Sequence, residues 1–252
     1  MNILNLPKKV ALKESFEKSG NVLFRYRSFI PVLILLTTFP VIAITPDNDQ
    51  ASLFNGVSVA LSLAGIILRA YTIGTTPRGT SGRNTQKQVA ESLNTNGIYS
   101  LVRHPLYLGN YLMWAGLALF TYNIWYFTVI SLIFWIYYER IMFAEEAYLR
   151  GKFGGVFEEW SGRVPAFIPR LKGFQPPTMS FSIKSVLRRE YSGILALAAV
   201  YFVIDYFRLW KEEAPLLGWR PTSVVLVIAA LSALVLRNLK HHTQLLNESG
   251  RS

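Results

Sequence analysis

The sequence predicts an all-α protein, a polytopic transmembrane helix bundle of about six spans. Hydrophobic residues make up 51% of the 252 residues, and the mean hydropathy is +0.28. Charged residues make up only 16%, against the usual share of about 25%. The apolar residues fall into six runs, each close to the roughly 20 residues that cross a bilayer. These runs predict a protein that lives in a membrane.

The six predicted spans follow one another along the chain, at residues 22–44, 53–73, 106–122, 124–143, 191–210 and 222–239. Pro31 and Pro40 are expected to kink the first span. Asp205 and Arg208, about one helical turn apart in the fifth span, are predicted to pair. An amphipathic helix outside the membrane is predicted at 144–160, broken at Gly154-Gly155.

The same pattern divides the chain into four predicted segments. Residues 1–21 form an N-terminal interfacial segment and 22–169 a membrane core. Residues 170–190 form a basic connector, and 191–252 form an additional two-helix transmembrane hairpin with a tail.

The distribution of charged residues predicts the membrane topology of the chain. The net charge is +11, and along the six spans the segments rich in basic residues alternate with segments poor in them. By the positive-inside rule, both termini and the loop at 74–101 lie in the cytoplasm. The protein is then a multi-pass inner-membrane protein if it is bacterial. Basic residues that punctuate apolar runs favour an anionic lipid bilayer as partner and exclude nucleic acid.

Cysteine is absent and histidine occurs three times. Disulfides, thiol catalysis and thiolate metal sites are therefore excluded, and a histidine-built metal site is not expected. We predict no metal cofactor.

The stretch from Asn96 to Gly109 joins a polar loop to an apolar run. Pro105 suits the first turn of a helix, which places Arg103 and His104 at the helix N-terminus. Free backbone N–H groups and the positive end of the helix dipole favour an anionic ligand there. Two tyrosines and two glycines accompany them: Tyr99, Tyr107, Gly97 and Gly109.

This sequence pattern resembles that of the membrane methyltransferases that include isoprenylcysteine carboxyl methyltransferase and the phospholipid methyltransferases. The shared motifs stand in order at Gly97-Ile98-Tyr99, Arg103 to Gly109, Glu145-Glu146, Phe153-Gly154 and Val164-Pro165-Ala166-Phe167-Ile168-Pro169. The likeness covers residues 61–169, and the motifs are specific as a set. It implies methyl transfer from S-adenosylmethionine, with a cytoplasmic cofactor pocket built from loops and a short C-terminal-side helix.

The resemblance also implies roles for residues at matching positions. The implied cofactor-binding residues are Leu93, Asn94, Gly97, Tyr99, His104, Pro105, Leu106, Tyr107, Gly109, Glu145 and Glu146. The implied catalytic residues are Arg103, His104 and Arg140, and Arg140 is also expected to contact substrate. At 91–94 this chain reads Glu-Ser-Leu-Asn where the family often has His-x-Leu-Val. Glu145 and Glu146 would equally suit a solvated helix start.

The loop at 74–85 combines glycines, hydroxyl residues and two arginines. Such loops can present N–H groups and guanidinium forks to phosphate. Arg78, Arg83 and Asn84 are therefore predicted to bind substrate, a membrane lipid carrying an anionic head group. The favoured acceptor is a phosphate of the lipid A type.

Other functions stay open at this point. Within the family they are carboxyl methylation of a prenylcysteine-like substrate and N-methylation of an aminophospholipid. Outside it they are non-enzymatic lipid binding or transport.

Overall fold

Eight α-helices and one short 3₁₀ turn make up the residues that the computed structural model describes, which are 12–27, 29–46, 49–77, 79, 90–216 and 218–251. The helices are α1 (Leu12–Tyr26), α2 (Ile30–Ile44), α3 (Ala51–Gly74), α4 (Pro105–Leu119), α5 (Ile124–Phe153), α6 (Gly155–Arg163), α7 (Ile183–Lys211) and α8 (Pro221–His242). The 3₁₀ turn is Ile98–Ser100. The predicted all-α class is confirmed.

Four of these helices, α3, α5, α7 and α8, are long and apolar enough to cross a membrane. The helices α2 and α4 have 15 residues each, or about 22 Å at 1.5 Å per residue. The predicted polytopic helical bundle is thus confirmed, while the number of crossings and their direction stay predictions. The division into four segments also stays a prediction.

The first predicted span, 22–44, is two helices and not one kinked helix. Helix α1 ends at Tyr26 and α2 begins at Ile30, with Pro31 in the first turn of α2. In the first turn of a helix, the backbone N–H that proline lacks would make no helical hydrogen bond. Inside a continuous helix, the same proline would remove a helical hydrogen bond. The correction therefore follows from Pro31 acting as a helix start.

Helix α1 packs antiparallel against the second half of α5. The rings of Phe16 and Phe143 meet edge-on at 5.9 Å, and the Tyr137 hydroxyl donates to the Leu23 carbonyl at 3.1 Å. Because the partner number falls as the α1 number rises, the two helices run in opposite directions. Helix α1 therefore packs on the bundle, and its predicted interfacial position stays a prediction.

Helices α3 and α4 approach each other at small residues. A Cβ added to Gly65 would lie 2.6 Å from the Gly109 carbonyl oxygen, and one added to Gly109 would lie 2.5 Å from Arg69 Cγ. Neither contact is sterically allowed, so both positions need glycine. Small residues at helix contacts let backbones pack closely in membranes, and this contact fixes where α4 begins relative to α3.

Helix α7 begins at Ile183, inside the segment predicted as a connector. The Ser182 side chain caps it by accepting from Ser185 N at 3.1 Å. Further along, Asp205 pairs with Arg220 at 2.9 Å and accepts from Thr222 at 2.7 Å. The predicted pairing of Asp205 with Arg208 is therefore wrong.

Arg208 lies instead 3.7 Å over the Tyr122 ring. Arg208 contacts the aromatic residues at the end of α4 because α7 packs beside that end.

Candidate active site

The N-terminus of α4 lies at the centre of a cluster of charged and aromatic side chains. His104 is the residue before the first turn, and Pro105 occupies that turn, as predicted. Backbone N–H groups of Arg103 and His104 donate to the carbonyls of Pro165 and Ala166 at 2.9 and 3.1 Å. The motif from Arg103 to Gly109 and the motif from Val164 to Pro169 thus meet here. These two N–H groups are therefore paired within the protein, and anion binding at the start of α4 stays a prediction.

Arg103 is held by contacts on all sides of its guanidinium. It donates to both carboxylate oxygens of Glu146, at 2.8 and 3.1 Å. It also donates to the carbonyls of Ser161 and Val164, at 2.6 and 2.8 Å. Arg103 therefore ties α4, α5 and the end of α6 together, and its charge is matched by Glu146. Its predicted catalytic role stays a prediction.

His104 and Tyr107 connect the helix start to the glutamate pair. His104 Nε2 lies 2.9 Å from Glu146 Oε1, and Nδ1 lies 3.7 Å from Glu145 Oε2. The Tyr107 hydroxyl donates to Glu145 Oε2 at 2.9 Å, and its ring stacks on His104 at 5.5 Å. Five predicted site residues, Arg103, His104, Tyr107, Glu145 and Glu146, are thus brought together.

Glu145 and Glu146 lie inside α5 and not at a helix start. Helix α5 continues to Phe153 and ends at Gly154, whose φ is 53°. The predicted break at Gly154 is confirmed, but residues 144–153 continue the fourth predicted span and do not start a separate helix. At 30 residues α5 is about 45 Å long, more than the roughly 30 Å of a hydrocarbon core. Helix α5 is therefore longer than the core is thick, and its second half carries both carboxylates against the start of α4.

Accessibility differs between the members of the cluster. The side chain of His104 is 6% exposed, that of Glu146 is 18% and that of Glu145 is 33%. Two carboxylates face one matched arginine and a histidine that carries charge only if protonated. A ligand therefore reaches Glu145 most easily and meets a carboxylate there.

An aromatic wall closes one side of the cluster. Tyr99 packs with Phe157 and Trp160 of α6 and with Leu93, and Trp160 donates to the Tyr99 carbonyl at 3.1 Å. Burial, with Glu145 nearby, raises the pKa of Tyr99 well above its usual value of 10. Tyr99 therefore stays protonated at neutral pH and serves as an apolar surface with a neutral hydroxyl.

The other implied cofactor residues border this region. Gly97 has φ of 62° and its N–H donates to the Gln175 carbonyl at 2.9 Å, a conformation that favours glycine. Asn94 and Leu106 are half-buried. Gly109 packs closely against α3, and its predicted cofactor role stays a prediction.

Arg140 is not part of the cluster. Its guanidinium lies 3.3 Å over the Phe16 ring of α1. Within the described residues, Nη1 is buried without a hydrogen-bond partner. Arg140 and Glu145 are five residues apart, which turns their side chains to different faces of α5. No contact of Arg140 with the cluster supports its predicted catalytic and substrate roles, which stay predictions. Arg78, Arg83 and Asn84 lie outside the described residues.

A second polar group lies deeper in the bundle and was not identified from the sequence as one unit. It joins α3, α4, α5 and α7 through Arg69, Asn110, Tyr138 and Glu190. The sequence feature that could have indicated this group is the presence of Arg69 and Glu190 at the ends of apolar runs. Ionisable residues in membrane segments are often functional. The pairing itself needed the packing of α7 on α3.

Comparison with known families identifies one match. The phospholipid methyltransferase family matches residues 55–155. No solved structure matches the chain.

Three curated relatives illustrate the range of similarity. A nickel-cobalt-cadmium resistance protein of Alcaligenes xylosoxydans xylosoxydans is 26% identical over 68% of this chain and 76% of its own. A cobalt-zinc-cadmium resistance protein of Cupriavidus metallidurans is 30% identical over 50% of this chain and 57% of its own. A protein-S-isoprenylcysteine O-methyltransferase of Schizosaccharomyces pombe is 36% identical over 31% of this chain and 33% of its own. The chain thus spans three quarters, about half and one third of these relatives.

Proposed function

Since residues 55–155 belong to the phospholipid methyltransferase family, as the motifs predicted, we propose that this membrane methyltransferase methylates an anionic oxygen of a membrane-embedded acceptor. The methyl donor is S-adenosylmethionine, and the acceptor we favour is the carboxylate of a prenylcysteine-like molecule. The observation that carries the proposal is the pair of glutamates held against the start of α4 by Arg103, His104 and Tyr107. Relatives named isoprenylcysteine methyltransferases support the choice of acceptor.

The cluster fits a cationic cofactor with hydroxyl and amino groups. When bound, S-adenosylmethionine supplies an electrophilic methyl on a positively charged sulfur. Glu145, the most exposed carboxylate of the cluster, complements that positive charge and accepts from hydroxyl or ammonium donors. Glu146 is fixed by Arg103 and His104, so it supports the site without moving. The aromatic wall at Tyr99 and Trp160 offers an apolar surface to a flat base.

Catalysis by this site consists mainly of positioning. A carboxylate acceptor is already an anion, so no general base has to remove a proton before attack. The protein must align the attacking oxygen opposite the sulfur and exclude water, which alone can supply a large rate gain. The amine acceptors of the sequence-based alternatives would have to lose a proton.

The phosphate acceptor expected from the sequence depends on Arg78, Arg83 and Asn84, which the structure does not describe. The named relatives give it no support. Phosphate and amine lipids are therefore included as alternative acceptors in the transfer assay.

The test has a binding arm and a transfer arm. We expect the detergent-purified protein to bind S-adenosylhomocysteine by calorimetry. We expect it to transfer radiolabelled methyl to N-acetyl-S-farnesylcysteine, and not to phosphatidic acid, lipid A or phosphatidylethanolamine. Transfer only to a phosphate or amine lipid would replace the acceptor, and failure to bind S-adenosylhomocysteine would remove the proposal.

Tyr107→Phe tests the site within the same assay. It removes the hydrogen bond to Glu145 and keeps the stacking on His104. Hydrogen bonds to charged groups contribute about 1.5–3 kcal/mol, so S-adenosylhomocysteine affinity should fall roughly tenfold. The matched control is Tyr111→Phe one turn along α4, whose hydroxyl donates to Ser131 at 3.2 Å. Equal affinities in the two variants would place the cofactor elsewhere.

A further inference from the structure

A chain of hydrogen bonds runs from the C-terminal hairpin towards the candidate active site. Glu190 of α7 accepts two bonds from Arg69 of α3, at 2.8 and 2.7 Å. Arg69 also donates to the Asn110 side-chain oxygen at 2.7 Å, and Asn110 Nδ2 donates to the Tyr138 hydroxyl at 3.2 Å. Glu190 and Tyr138 are 5% and 8% exposed, so water does not replace these partners easily.

The direction of each bond in this chain is fixed by chemistry. A guanidinium only donates, so the oxygen of the Asn110 amide must face Arg69. The amide nitrogen then faces Tyr138, and because it donates, the Tyr138 oxygen accepts. The Tyr138 O–H proton therefore points away from Asn110 and is left to donate to another oxygen.

The ring contacts of Tyr138 place its side chain next to the candidate active site. Its ring lies 4.9 Å from the ring of Tyr107, whose hydroxyl is on Glu145. The Tyr138 ring also stacks on Phe134 at 4.1 Å. Asn110 lies six residues after His104, about 9 Å further along α4. The ring of Tyr138 is thus separated from Glu145 only by Tyr107.

We propose that the Tyr138 hydroxyl donates a hydrogen bond to the acceptor carboxylate, and that Glu190 is a positioning residue that holds this donor through Arg69 and Asn110. The proposal rests on the proposed function and names a residue that selects the acceptor. It also gives the α7–α8 hairpin, which lies outside the matched residues 55–155, a part in substrate recognition.

The proposed step is balanced without a proton transfer. One carboxylate oxygen forms the new O–CH₃ bond, the S–CH₃ bond breaks, and its electron pair stays on sulfur. Tyr138 bonds to the other carboxylate oxygen and keeps its proton. A donor on the attacking oxygen would weaken the nucleophile directly, whereas a donor on the neighbouring oxygen orients the group and withdraws less charge from the attacking atom.

Two variants test the donor from opposite sides. Tyr138→Phe removes the hydroxyl, while Asn110→Asp keeps the bond to Arg69 but only accepts, so Tyr138 must turn its proton towards Asp. Both should raise the KM for N-acetyl-S-farnesylcysteine roughly tenfold to a hundredfold. Affinity for S-adenosylhomocysteine should stay within about twofold, because the Tyr107–Glu145 bond is untouched. Glu190→Gln should raise the same KM by a smaller factor.

The matched control is Tyr137→Phe, the neighbouring tyrosine, whose hydroxyl donates to Leu23. It should leave the acceptor KM unchanged. If Tyr138→Phe does not fold, Asn110→Asp decides. Wild-type acceptor KM in Asn110→Asp, or a rise equal to that of Tyr137→Phe, overturns the proposal.

Two further outcomes separate the proposed function from the proposed role of Tyr138. If wild-type protein fails to bind S-adenosylhomocysteine, the proposed function itself has failed. If wild-type protein methylates the probe and Asn110→Asp loses S-adenosylhomocysteine affinity, Tyr138 serves the cofactor and the acceptor role is overturned.

Discussion

Arg103 shows how one motif residue can serve architecture and site together. Its guanidinium satisfies Glu146 and two carbonyls at the end of α6. Its side chain is 15% exposed and that of Glu146 is 18%. In a mostly buried pair, removal of one partner leaves the other charge without compensation. Arg103 therefore stabilises the fold whether or not it also touches substrate.

Arg103→Gln is predicted to destabilise the protein by about 3 kcal/mol, because Glu146 keeps only His104 as a partner and the two carbonyls lose their donor. The measurement is the free energy of unfolding in detergent. The control is Arg163→Gln, which breaks an exposed pair with Glu159 at 3.1 Å and should cost less than about 0.5 kcal/mol. Similar losses in the two variants would show that the buried pair adds nothing.

At the scale of helices, the contact between α3 and α4 determines where the motif lies. Gly65 and Gly109 let the two backbones approach, and α4 begins at Pro105 close to that contact. If the helices moved apart, His104 and Tyr107 would move away from Glu145 and Glu146 of α5. The site therefore depends on a helix contact several residues away from it.

Gly65→Ala is predicted to destabilise the protein by more than about 2 kcal/mol, because the new Cβ meets the Gly109 carbonyl oxygen. Gly56→Ala on the same helix meets nothing within 4 Å and should be neutral or slightly stabilising. Thermal unfolding of the two variants in detergent makes the comparison. Equal melting temperatures would contradict the close contact.

At the scale of the whole molecule, charge distribution predicts the orientation. Asp49 and Glu212 are exposed at the ends of helices on the side that is poor in basic residues. Glu159 and Lys172 are exposed on the side that holds the motif. The positive-inside rule places the second pair in the cytoplasm.

Single cysteines at Asp49 and Glu212 are predicted to react with an impermeant thiol reagent in intact cells. Cysteines at Glu159 and Lys172 should react only after permeabilisation. The natural chain has no cysteine, so every label reports the introduced residue. Labelling in the reverse order would invert the topology and place the glutamate pair outside the cytoplasm.

Much of the architecture followed from local patterns in the sequence. Long apolar runs predicted helices because a chain in lipid must satisfy its backbone internally. Pro105 predicted the start of α4, and Gly154 predicted the break after α5. The motifs predicted the family and the cluster of His104, Tyr107, Glu145 and Glu146, because their order along the chain is itself the signal.

Side-chain pairing depended on packing that no local pattern contains. Asp205 bonds to Arg220 and not to Arg208 because α8 returns beside α7. Arg140 faces α1 and not the cluster because five positions along α5 rotate it away. The chain of bonds from Glu190 to Tyr138 draws on four helices. Periodicity and composition therefore determined which segments are helices, whereas only tertiary packing decided which polar groups meet, since a buried donor takes the acceptor that the neighbouring helix brings within reach.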